Sequence, residues 1–330
     1  MTDFIVDNDN QMVAVAAGHI DEIFEVNGNK NSIDVGGGHD EGVAIGNDNI
    51  IQTEDGDDSI VVTGKRNTIR GGHGYDQIVA VGNKTILDGG DSEDFLVVIG
   101  NTAVVEGGGN DDTLTVTGDV NIVEGGSGHD NLIVVGQQNS LDGGSGNDRL
   151  LIDGNQNNVK GGRGEDVITV SGNKNSIDAG VGDDVVTVLG GRKNIVYGGD
   201  GDDILKGGAQ QDYLTGQRDE DTLNGNGGDD ILEGGGGNDT LSGGAAADIF
   251  LFKQDAFGYT DRVVDFEQGV DKLAVEGVTL GIAPEQNSDG SYTFQSGRNP
   301  VLTLQFASNV VLSADDFIAV SDVSVIDASV

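Results

Sequence analysis

Aspartate returns at a fixed step through most of this sequence, each time at the end of a short glycine-rich stretch. Nine of these aspartates follow one another at intervals of eighteen residues without a slip: Asp40, Asp58, Asp76, Asp94, Asp112, Asp130, Asp148, Asp166 and Asp184. After a step of nineteen residues the interval falls to nine, giving Asp203, Asp212, Asp221, Asp230, Asp239 and Asp248. Carboxylate and backbone carbonyl oxygens are the ligands that hard divalent cations prefer. The spacing therefore predicts a row of cation sites along the chain.

The glycines before each aspartate supply the other half of such a site. Glycine allows the backbone to turn tightly enough to direct several carbonyl oxygens toward one point. The pattern GGxGxD followed by x-aliphatic-x is complete in six places: GGHGYDQIV (71–79), GGSGHDNLI (125–133), GGSGNDRLL (143–151), GGRGEDVIT (161–169), GGDGDDILK (198–206) and GGGGNDTLS (234–242). Other turns keep the aspartate but replace a glycine, with Thr53, Glu54, Ser92, Asn110, Gln210, Asp219 or Ala246. We expect weaker or empty sites at those turns and an intact fold.

Alternating aliphatic residues after each aspartate predict the elements that hold these turns. Apolar residues stand two and four positions after the aspartate in nearly every copy, as in Ile78 and Ala80, and this alternation is typical of a strand. Half a period later a second track places an asparagine, or Thr85 or Ala103, before another aliphatic residue. Each eighteen-residue unit therefore reads as strand, turn, strand, turn. Glycine at this density excludes a helical reading, since each glycine costs a helix roughly 1 kcal/mol.

Stacking of these units predicts the fold class. One unit cannot bury its aliphatic face alone, whereas neighbouring units together form a continuous core. We expect an all-β protein: a right-handed parallel β-roll or β-helix solenoid with 18 residues per coil and a C-terminal β-rich cap. The repeat boundaries divide the chain into an N-terminal cap (1–21), a solenoid of eighteen-residue repeats (22–197), a nonapeptide β-roll (198–248) and a C-terminal cap (249–330).

Composition limits the partners. The 330 residues carry a formal charge of -40, which argues against nucleic acid and against anionic membrane surfaces and favours cations. No apolar run reaches the eighteen or more residues of a membrane span, and the acidic N-terminus lacks the basic region of a cleaved signal. There is no cysteine, so disulfides are excluded.

The glycine-aspartate pattern resembles the nonapeptide repeat of the RTX (repeats-in-toxin) calcium-binding proteins, a repeat that forms a calcium-binding β-helix. The resemblance implies multiple Ca²⁺ ions, each held between two successive turns on one edge. It carries the metal-ligand role onto all fifteen turn aspartates named above and onto the glycines of four complete turns: Gly125, Gly126, Gly128, Gly143, Gly144, Gly146, Gly161, Gly162, Gly164, Gly198, Gly199 and Gly201. One ladder would run from Asp40 to Asp239, and a shorter one would join Asp212, Asp230 and Asp248.

Repulsion within such a ladder predicts that calcium binding and folding are coupled. Two carboxylates about 5 Å apart repel by about 1 kcal/mol in water and about four times as much at an effective dielectric constant of 20. A stack of them opposes folding unless a cation is present. Extracellular calcium modules bind at roughly 0.1 to 1 mM, so the chain would fold outside the cell.

The segment after the repeats resembles the C-terminal region of serralysin-type RTX proteins. The matching stretch is DRVVDFEQGVDKLAVEGV (261–278), and the resemblance places Asp261, Asp265, Phe266, Gly269, Asp271 and Leu273 in the cap. It also implies export by a type I secretion apparatus that reads an uncleaved C-terminal signal. The acidic and apolar end DDFIAVSDVSVIDASV (315–330) is compatible with such a signal.

Searches for catalytic motifs are negative. The sequence has neither HExxH nor GxSxG, and the histidines His19, His39, His73 and His129 are interpreted as solvated residues. We therefore expect a secreted, non-enzymatic calcium-binding protein, with a structural, surface or adhesion role. The alternatives are an accessory or targeting module for a polysaccharide-active enzyme, and a polysaccharide- or ice-binding solenoid. The last would use the uncharged edge residues Asn29, Asn47, Asn83, Asn101, Gln137, Asn155 and Asn173, which Lys65 and Asp119 interrupt.

Overall fold

The computed structural model describes residues 2–14, 21–276, 285–296, 299–307 and 310–320. These residues form parallel strands that pair at the predicted eighteen-residue spacing, and the predicted all-β parallel solenoid is confirmed. The chain consists of two compact units, unit 1 (residues 1–162) and unit 2 (residues 163–330), which are taken in turn. The four-segment division of the sequence stays a prediction. In the described part of the chain, no helix has the length and apolarity needed to cross a membrane.

Unit 1 has two sheets, because each coil contributes one strand to either side. Its sheet A consists of β1 (Thr2–Val6), β3 (Glu22–Asn27), β5 (Glu41–Ile45), β7 (Ser59–Thr63), β9 (Gln77–Val81), β11 (Phe95–Ile99), β13 (Thr113–Thr117), β15 (Asn131–Val135) and β17 (Arg149–Asp153). Its sheet B consists of β2 (Met12–Ala14), β4 (Ser32–Asp34), β6 (Ile50–Asp55), β8 (Thr68–His73), β10 (Ile86–Asp91), β12 (Val104–Gly109), β14 (Ile122–Ser127), β16 (Ser140–Ser145) and β18 (Asn158–Arg163), the last ending at the unit boundary.

Alternation along each strand separates core from surface, because successive side chains point to opposite faces. The register aligns equivalent positions, for example Leu96 with Leu114, and Val98 with Val116. The predicted aliphatic rows are buried, with relative exposures of at most 2 %. In unit 1 they include Ile33, Ile51, Ile69, Leu87, Val105, Val123 and Leu141 from sheet B, and Ile60, Ile78, Leu96, Leu114, Leu132 and Leu150 from sheet A.

Unit 2 has the same two-sheet architecture. Sheet A consists of β19 (Val167–Ser171), β21 (Val185–Gly190), β23 (Ile204–Lys206), β25 (Thr222–Asn224), β27 (Thr240–Ser242), β29 (Thr260–Val263), β31 (Glu285–Gln286), β32 (Tyr292–Ser296) and β33 (Asn299–Phe306). Sheet B consists of β20 (Ser176–Val181), β22 (Ile195–Asp200), β24 (Tyr213–Arg218), β26 (Ile231–Gly236), β28 (Ile249–Phe252) and β30 (Lys272–Val275). The extra residue in the step from Asp184 to Asp203 is accommodated in β21, where Ser171 pairs with Gly190 after a register shift.

The described C-terminal residues close unit 2 in two ways. Strands β32 and β33 form an antiparallel pair, and β33 adds to β29, so that sheet A gains a closing hairpin. Phe266 contacts Phe250 and Phe306 with ring centroids 6.1 and 5.5 Å apart. Two short 3-10 helices, Gln254–Ala256 and Ala314–Asp316, complete the described elements. The similarity of this segment to a serralysin-type cap stays a prediction.

The outer face of sheet B in unit 2 is also covered. Tyr213, Ile231 and Leu251 point outward from their strands, yet they are buried in a second apolar cluster. Ile318 and Val320 pack against this cluster from the C-terminal segment. Residues 321–330, which include most of the predicted export signal, lie outside the described residues.

Candidate metal centre

Each turn aspartate is buried and is bonded to the next coil. The backbone N–H of Asp58 donates to Oδ1 of Asp76 at 2.9 Å, and that of Asp94 donates to Oδ1 of Asp112 at 2.7 Å. The same bond recurs from Asp40 to Asp148 in unit 1 and from Asp166 to Asp239 in unit 2. We call this stack the aspartate column. It confirms that the aspartates stack in register on one edge of each unit.

The second carboxylate oxygen differs from the first, since Oδ2 is buried and accepts no hydrogen bond from the described protein atoms. This holds in unit 1 for Asp40, Asp76, Asp94, Asp112 and Asp130. It holds in unit 2 for Asp184, Asp203, Asp221, Asp230, Asp239, Asp248 and Asp261. Burial of a polar oxygen without a partner is costly, and its recurrence from coil to coil marks a position suited to a cation.

Glycine backbone faces this oxygen. A methyl group on Gly107 would lie 2.5 Å from Oδ2 of Asp112 and 2.5 Å from the carbonyl oxygen of Gly125 in the next coil. The first glycines of other turns have the same two neighbours: Gly71, Gly89, Gly125 and Gly143 in unit 1, and Gly198 and Gly225 in unit 2. The space beside each of these glycines is thus lined by a carboxylate oxygen and a carbonyl oxygen, which suits a hard cation. We call this space the glycine cradle.

The other predicted glycines shape the turn. Gly126, Gly128, Gly144, Gly146, Gly162, Gly164, Gly199 and Gly201 all have φ between 109° and 139°, which side chains rarely adopt. Gly161 instead contributes the carbonyl oxygen that faces the cradle of Gly143. Within the described residues, no three Asp, Glu, His or Cys side chains converge on one point. The oxygen-lined positions are therefore those where one carboxylate meets backbone carbonyls.

Three turns carry a side chain where the cradle would lie. Val35, Thr53 and Ala179 occupy the first position of their turns, and all three are buried. The Thr53 hydroxyl donates to the carbonyl oxygen of Gly71 at 2.9 Å. At this turn a hydroxyl group therefore already links two successive coils.

Burial and crowding raise the pKa of the column aspartates. Loss of water contact is the largest cause, backbone N–H donors partly offset it, and neighbouring carboxylates add to it. The pKa reaches about 8 for Asp76 and Asp112, and about 9 for Asp221 and Asp230. Such values mean that the folded column resists carrying its full negative charge. A divalent cation would relieve both the desolvation and the repulsion.

The asparagine track forms a second column with the same backbone geometry. The N–H of Asn31 donates to Oδ1 of Asn49, and that of Asn49 donates to Oδ1 of Asn67, both at 2.9 Å. The Asn49 amide also donates to the carbonyl oxygen of Gly28 at 2.9 Å. An amide thus supplies both the acceptor for the ladder and a donor to the glycine turn. This column is neutral and buried.

In unit 2 the two residue types join in one column. The N–H of Asn194 donates to Oδ1 of Asp212 at 2.9 Å, just as Asn175 donates to Asn194. Asp212, Asp230 and Asp248 form the predicted second ladder above them. Unlike its neighbours, Asp212 Oδ2 accepts a backbone hydrogen bond, from Gly208.

Both columns extend into the segment assigned to the cap. Asp239 N–H donates to Oδ1 of Asp261 at 3.1 Å, and Asp248 N–H donates to Oδ1 of Asp271 at 3.0 Å. Sequence reasoning missed these two members because they follow at 22 and 23 residues. The signal that could have found them is the aspartate-x-apolar triplet that ends at Val263 and Leu273.

Asp265 does not belong to a column. Its carboxylate accepts hydrogen bonds from Ser242 and from the N–H groups of Gly243 and Gly244, so it anchors the last glycine turn.

The histidines His39, His73 and His129 are exposed on the aspartate turns, as expected of solvated residues, while His19 lies outside the described residues.

Comparison with known families agrees with this geometry. The family described as RTX calcium-binding nonapeptide repeat (4 copies) matches residues 52–80, 104–132, 124–151, 152–186, 189–223 and 215–250. These stretches cover more than half of the 330 residues. No curated protein matches the chain. The repeats of this family bind multiple calcium ions and form a solenoid that is typically structural and non-catalytic. The chain therefore belongs to the RTX calcium-binding nonapeptide repeat family and is a calcium-binding β-roll protein.

Proposed function

We propose that this protein is a secreted, non-enzymatic scaffold that calcium assembles outside the cell, with the ions held between successive turns of the aspartate columns. The ligands would be Oδ2 of the column aspartates and the carbonyl oxygens of the glycine turns. The observation that carries the proposal is the recurring buried Oδ2 that faces a glycine carbonyl oxygen. Calcium would supply positive charge there, while the chain's own residues position the oxygens and exclude water.

Occupancy should follow the first residue of each turn. Turns whose first glycine faces an Oδ2 atom and a carbonyl oxygen offer a cradle, whereas Val35, Thr53 and Ala179 fill the equivalent position. We infer that the turns ending at Asp40, Asp58 and Asp184 bind calcium weakly or not at all in the space that these three side chains fill. Asp219, Ser92, Asn110 and Ala246 keep a positive φ without glycine, so those turns retain their shape.

A matched pair of glycine substitutions tests the ligand assignment. Gly107→Ala places a methyl group between Asp112 Oδ2 and the Gly125 carbonyl oxygen, while at Gly109 in the same strand the nearest atom is 3.6 Å away. We expect Gly107→Ala to lower the number of bound calcium ions by one or two in equilibrium dialysis. Gly109→Ala should bind as many ions as the wild type. Equal binding by all three proteins would contradict the site.

Calcium-coupled folding is tested by far-ultraviolet circular dichroism. The metal-depleted protein is titrated with calcium through the millimolar range, with magnesium as control. A cooperative gain of β signal for calcium alone is expected, because magnesium requires a smaller, octahedral site and retains its water. An unchanged β spectrum in metal-free buffer would show that the core and asparagine column fold the chain unaided.

The extracellular role rests on the calcium requirement and on the family. RTX repeat proteins are generally secreted, and we propose a type I exporter as the route and a cell surface or extracellular polysaccharide as the partner. A pull-down with polysaccharide, in calcium and in chelator, tests the partner. Calcium-dependent retention without product formation is expected, and release of products would indicate an enzyme or enzyme accessory instead.

The outer asparagine edge supports a structural role rather than a ligand-binding one. Asn29, Asn47 and Asn101 use Oδ1 to accept the backbone N–H of the next coil. These acceptors are engaged in holding the coils together. Ice or polysaccharide binding at this edge would have to use the remaining amide hydrogens.

A further inference from the structure

The outer face of sheet A in unit 1 is uncharged from β7 to β15 and exposes several large apolar side chains there. From β7 to β15 the outward side chains form three rows, and the middle row is Val61, Val79, Val97, Thr115 and Ile133. Ile99 and Val135, in a flanking row, are 49 % and 44 % exposed. No outward position in these five strands is charged. We call this surface the apolar face.

The outer face of sheet B in the same unit is charged, by contrast. On sheet B of the same unit, the equivalent middle row contains Arg70, Asp88, Glu106 and Glu124. The whole chain carries a formal charge of -40, so five neighbouring strands without a charged outward side chain are unexpected from its composition. Contiguous exposed apolar surface of this extent is a mark of an interaction site.

The two edges that flank the apolar face have opposite charge. The aspartate turns that precede its strands expose Asp57, Glu93 and Asp111. The asparagine turns that follow its strands carry Lys65, Arg66 and Lys84 against a single acidic residue, Asp119, and Arg66 pairs with Asp48 of the preceding turn. The surface is therefore flat and uncharged at the centre, acidic on one side and basic on the other.

We propose that the apolar face pairs with the same face of a second copy of this chain, with the two solenoid axes parallel. A two-fold axis that runs along the solenoid reverses the strand direction in the partner. The acidic edge of each copy then lies against the basic edge of the other. The antiparallel arrangement would instead place acidic edge against acidic edge, which repels. This pairing goes beyond the proposed calcium sites and does not depend on which aspartates bind calcium.

The area is sufficient for a reversible dimer. The five strands of the apolar face together with the flanking strands β5 and β17, whose outward Glu41, Arg149 and Asp153 form a charged rim, give a footprint of about 500 Å² on each copy, with strands about 4.8 Å apart and about 16 Å long. The total of about 1,000 Å² lies at the lower limit for specific interfaces. We therefore expect association that depends on concentration in the micromolar range.

Sedimentation velocity on the full calcium-loaded chain tests the dimer. The face variant Val61→Lys/Ile99→Lys introduces two charges on the apolar face. The control variant Ile86→Lys/Ile122→Lys makes the same change on the opposite sheet, where Ile86 and Ile122 are 48 % and 53 % exposed. We expect the wild type and the control to dimerise, and the dissociation constant of the face variant to rise at least tenfold. Circular dichroism in calcium verifies that all three proteins are folded.

Cross-linking tests the parallel arrangement, because the chain has no cysteine of its own. With parallel axes, each middle-row residue faces the equivalent residue of the second copy at the same height along the solenoid. Val61→Cys, Val79→Cys and Val97→Cys should therefore all give dimers with a short bismaleimide. Packed sheets lie about 10 Å apart, too far for a direct disulfide. Dimers from only one of the three variants would indicate antiparallel axes and overturn the proposed arrangement.

Other occupants of the apolar face are separate outcomes. A folded wild type that stays monomeric at 200 µM by sedimentation, on the order of 10-fold above the expected dissociation range for so small an interface, overturns the proposal. So does equal weakening of the dimer by the face variant and the control variant. Binding of the folded monomer to phosphatidylcholine vesicles, lost in the face variant, would assign the surface to lipid instead.

Discussion

At the scale of single residues, aspartate and asparagine occupy equivalent positions in the columns and differ in one atom. Both accept the backbone N–H of the preceding coil through Oδ1, as Asp112 and Asn49 do. The second atom is an amide donor in Asn49 and a buried oxygen without a donor in Asp112. The residue type therefore determines whether the glycine turn beside it is closed by an amide or offers oxygens to a cation.

Asp112→Asn should have opposite effects with and without calcium. In metal-free buffer the change removes a desolvated carboxylate and adds a donor facing the Gly125 carbonyl oxygen, and we expect a gain of about 1 kcal/mol. In saturating calcium it removes a ligand and should destabilise. Thermal unfolding and β content by circular dichroism measure both effects. Asp111→Asn, an exposed neighbour with the same charge change, should shift neither by more than about 0.5 kcal/mol. Shifts of the same sign in both buffers would contradict the interpretation.

Thr53 provides a gain-of-binding prediction. Its side chain fills the space beside Asp58, and its hydroxyl bonds to the Gly71 carbonyl oxygen. Burial raises the pKa of Asp58 to about 6, with the Thr53 hydroxyl among the groups that lower it. We expect Thr53→Gly to add one bound calcium ion in equilibrium dialysis and to lose stability in metal-free buffer. Thr53→Ser, which keeps the hydroxyl, should leave the number of bound calcium ions unchanged. An added ion in Thr53→Ser would contradict the inference that the hydroxyl excludes calcium from this turn.

At the scale of elements, the covered outer face of sheet B in unit 2 contains an ion pair in which the acidic partner is buried. Glu233 on β26 is buried, and its Oε2 accepts hydrogen bonds from the Tyr213 hydroxyl and from Lys253 Nζ, the latter at 2.8 Å. Burial and the negative charge of Glu233 raise the pKa of Tyr213 above its usual value, so the phenol stays a donor. The carboxylate of Glu233 is compensated only while both donors remain.

Lys253→Met should therefore destabilise the calcium-loaded protein by about 2 kcal/mol, because it leaves a buried charge with one donor. Urea unfolding of the full chain in saturating calcium measures this loss. Arg218→Met removes a similar pair with Asp200, whose side chains are 73 % and 48 % exposed. That control should cost less than about 0.5 kcal/mol. Equal losses of stability in Lys253→Met and Arg218→Met would show that the burial of Glu233 does not strengthen the contribution of its ion pair to stability.

The repeat made the strands and columns predictable, since alternation and spacing are local properties of the sequence. The aliphatic rows, the stacked aspartates and the extra residue near Gly190 could all be derived in this way. The column members Asp261 and Asp271 could not be assigned, because longer loops precede them and conceal the period. The packing of Ile318 against Tyr213 and Ile231 could not be predicted from the sequence either, because it joins segments far apart in the chain.

The three turns that carry Val35, Thr53 or Ala179 in their first position differ from the others in the sequence only by the lack of a glycine there. Sequence reasoning did not single out Val35 and Ala179, because the pattern alone does not tell which glycine prevents a clash and which permits a positive φ. The structure separates these two roles. Glycine in the first position leaves room beside the carboxylate, and glycine in the second and fourth positions allows the turn.

At the scale of the whole molecule, the raised pKa values predict that acid partly replaces calcium. Unfolded aspartates titrate near 3.9, whereas the pKa is about 8 for folded Asp76 and about 9 for Asp230. Between those values the folded metal-free chain binds more protons than the unfolded chain. Its stability is therefore fully present below about pH 4 and falls as the pH rises toward 9.

Metal-free protein should consequently contain more β structure at pH 5 than at pH 8 by circular dichroism. With calcium the dependence reverses, because protons and calcium compete for the same oxygens and calcium affinity falls in acid. A calcium titration at the two pH values measures this second effect. A metal-free chain that gains structure as the pH rises would contradict the charge balance described for the columns.

The ladder bond between successive coils has a further consequence for how such a gene can change. Each repeat brings one N–H donor and one Oδ1 acceptor to a column, as Asp94 does between Asp76 and Asp112. Tandem duplication or loss of one whole eighteen-residue repeat therefore leaves every donor with an acceptor. Replication slippage by half a repeat would exchange the carboxylate and amide columns, except in residues 198–248, where both turns end in aspartate. Length can drift by whole repeats while the pattern of charge is conserved.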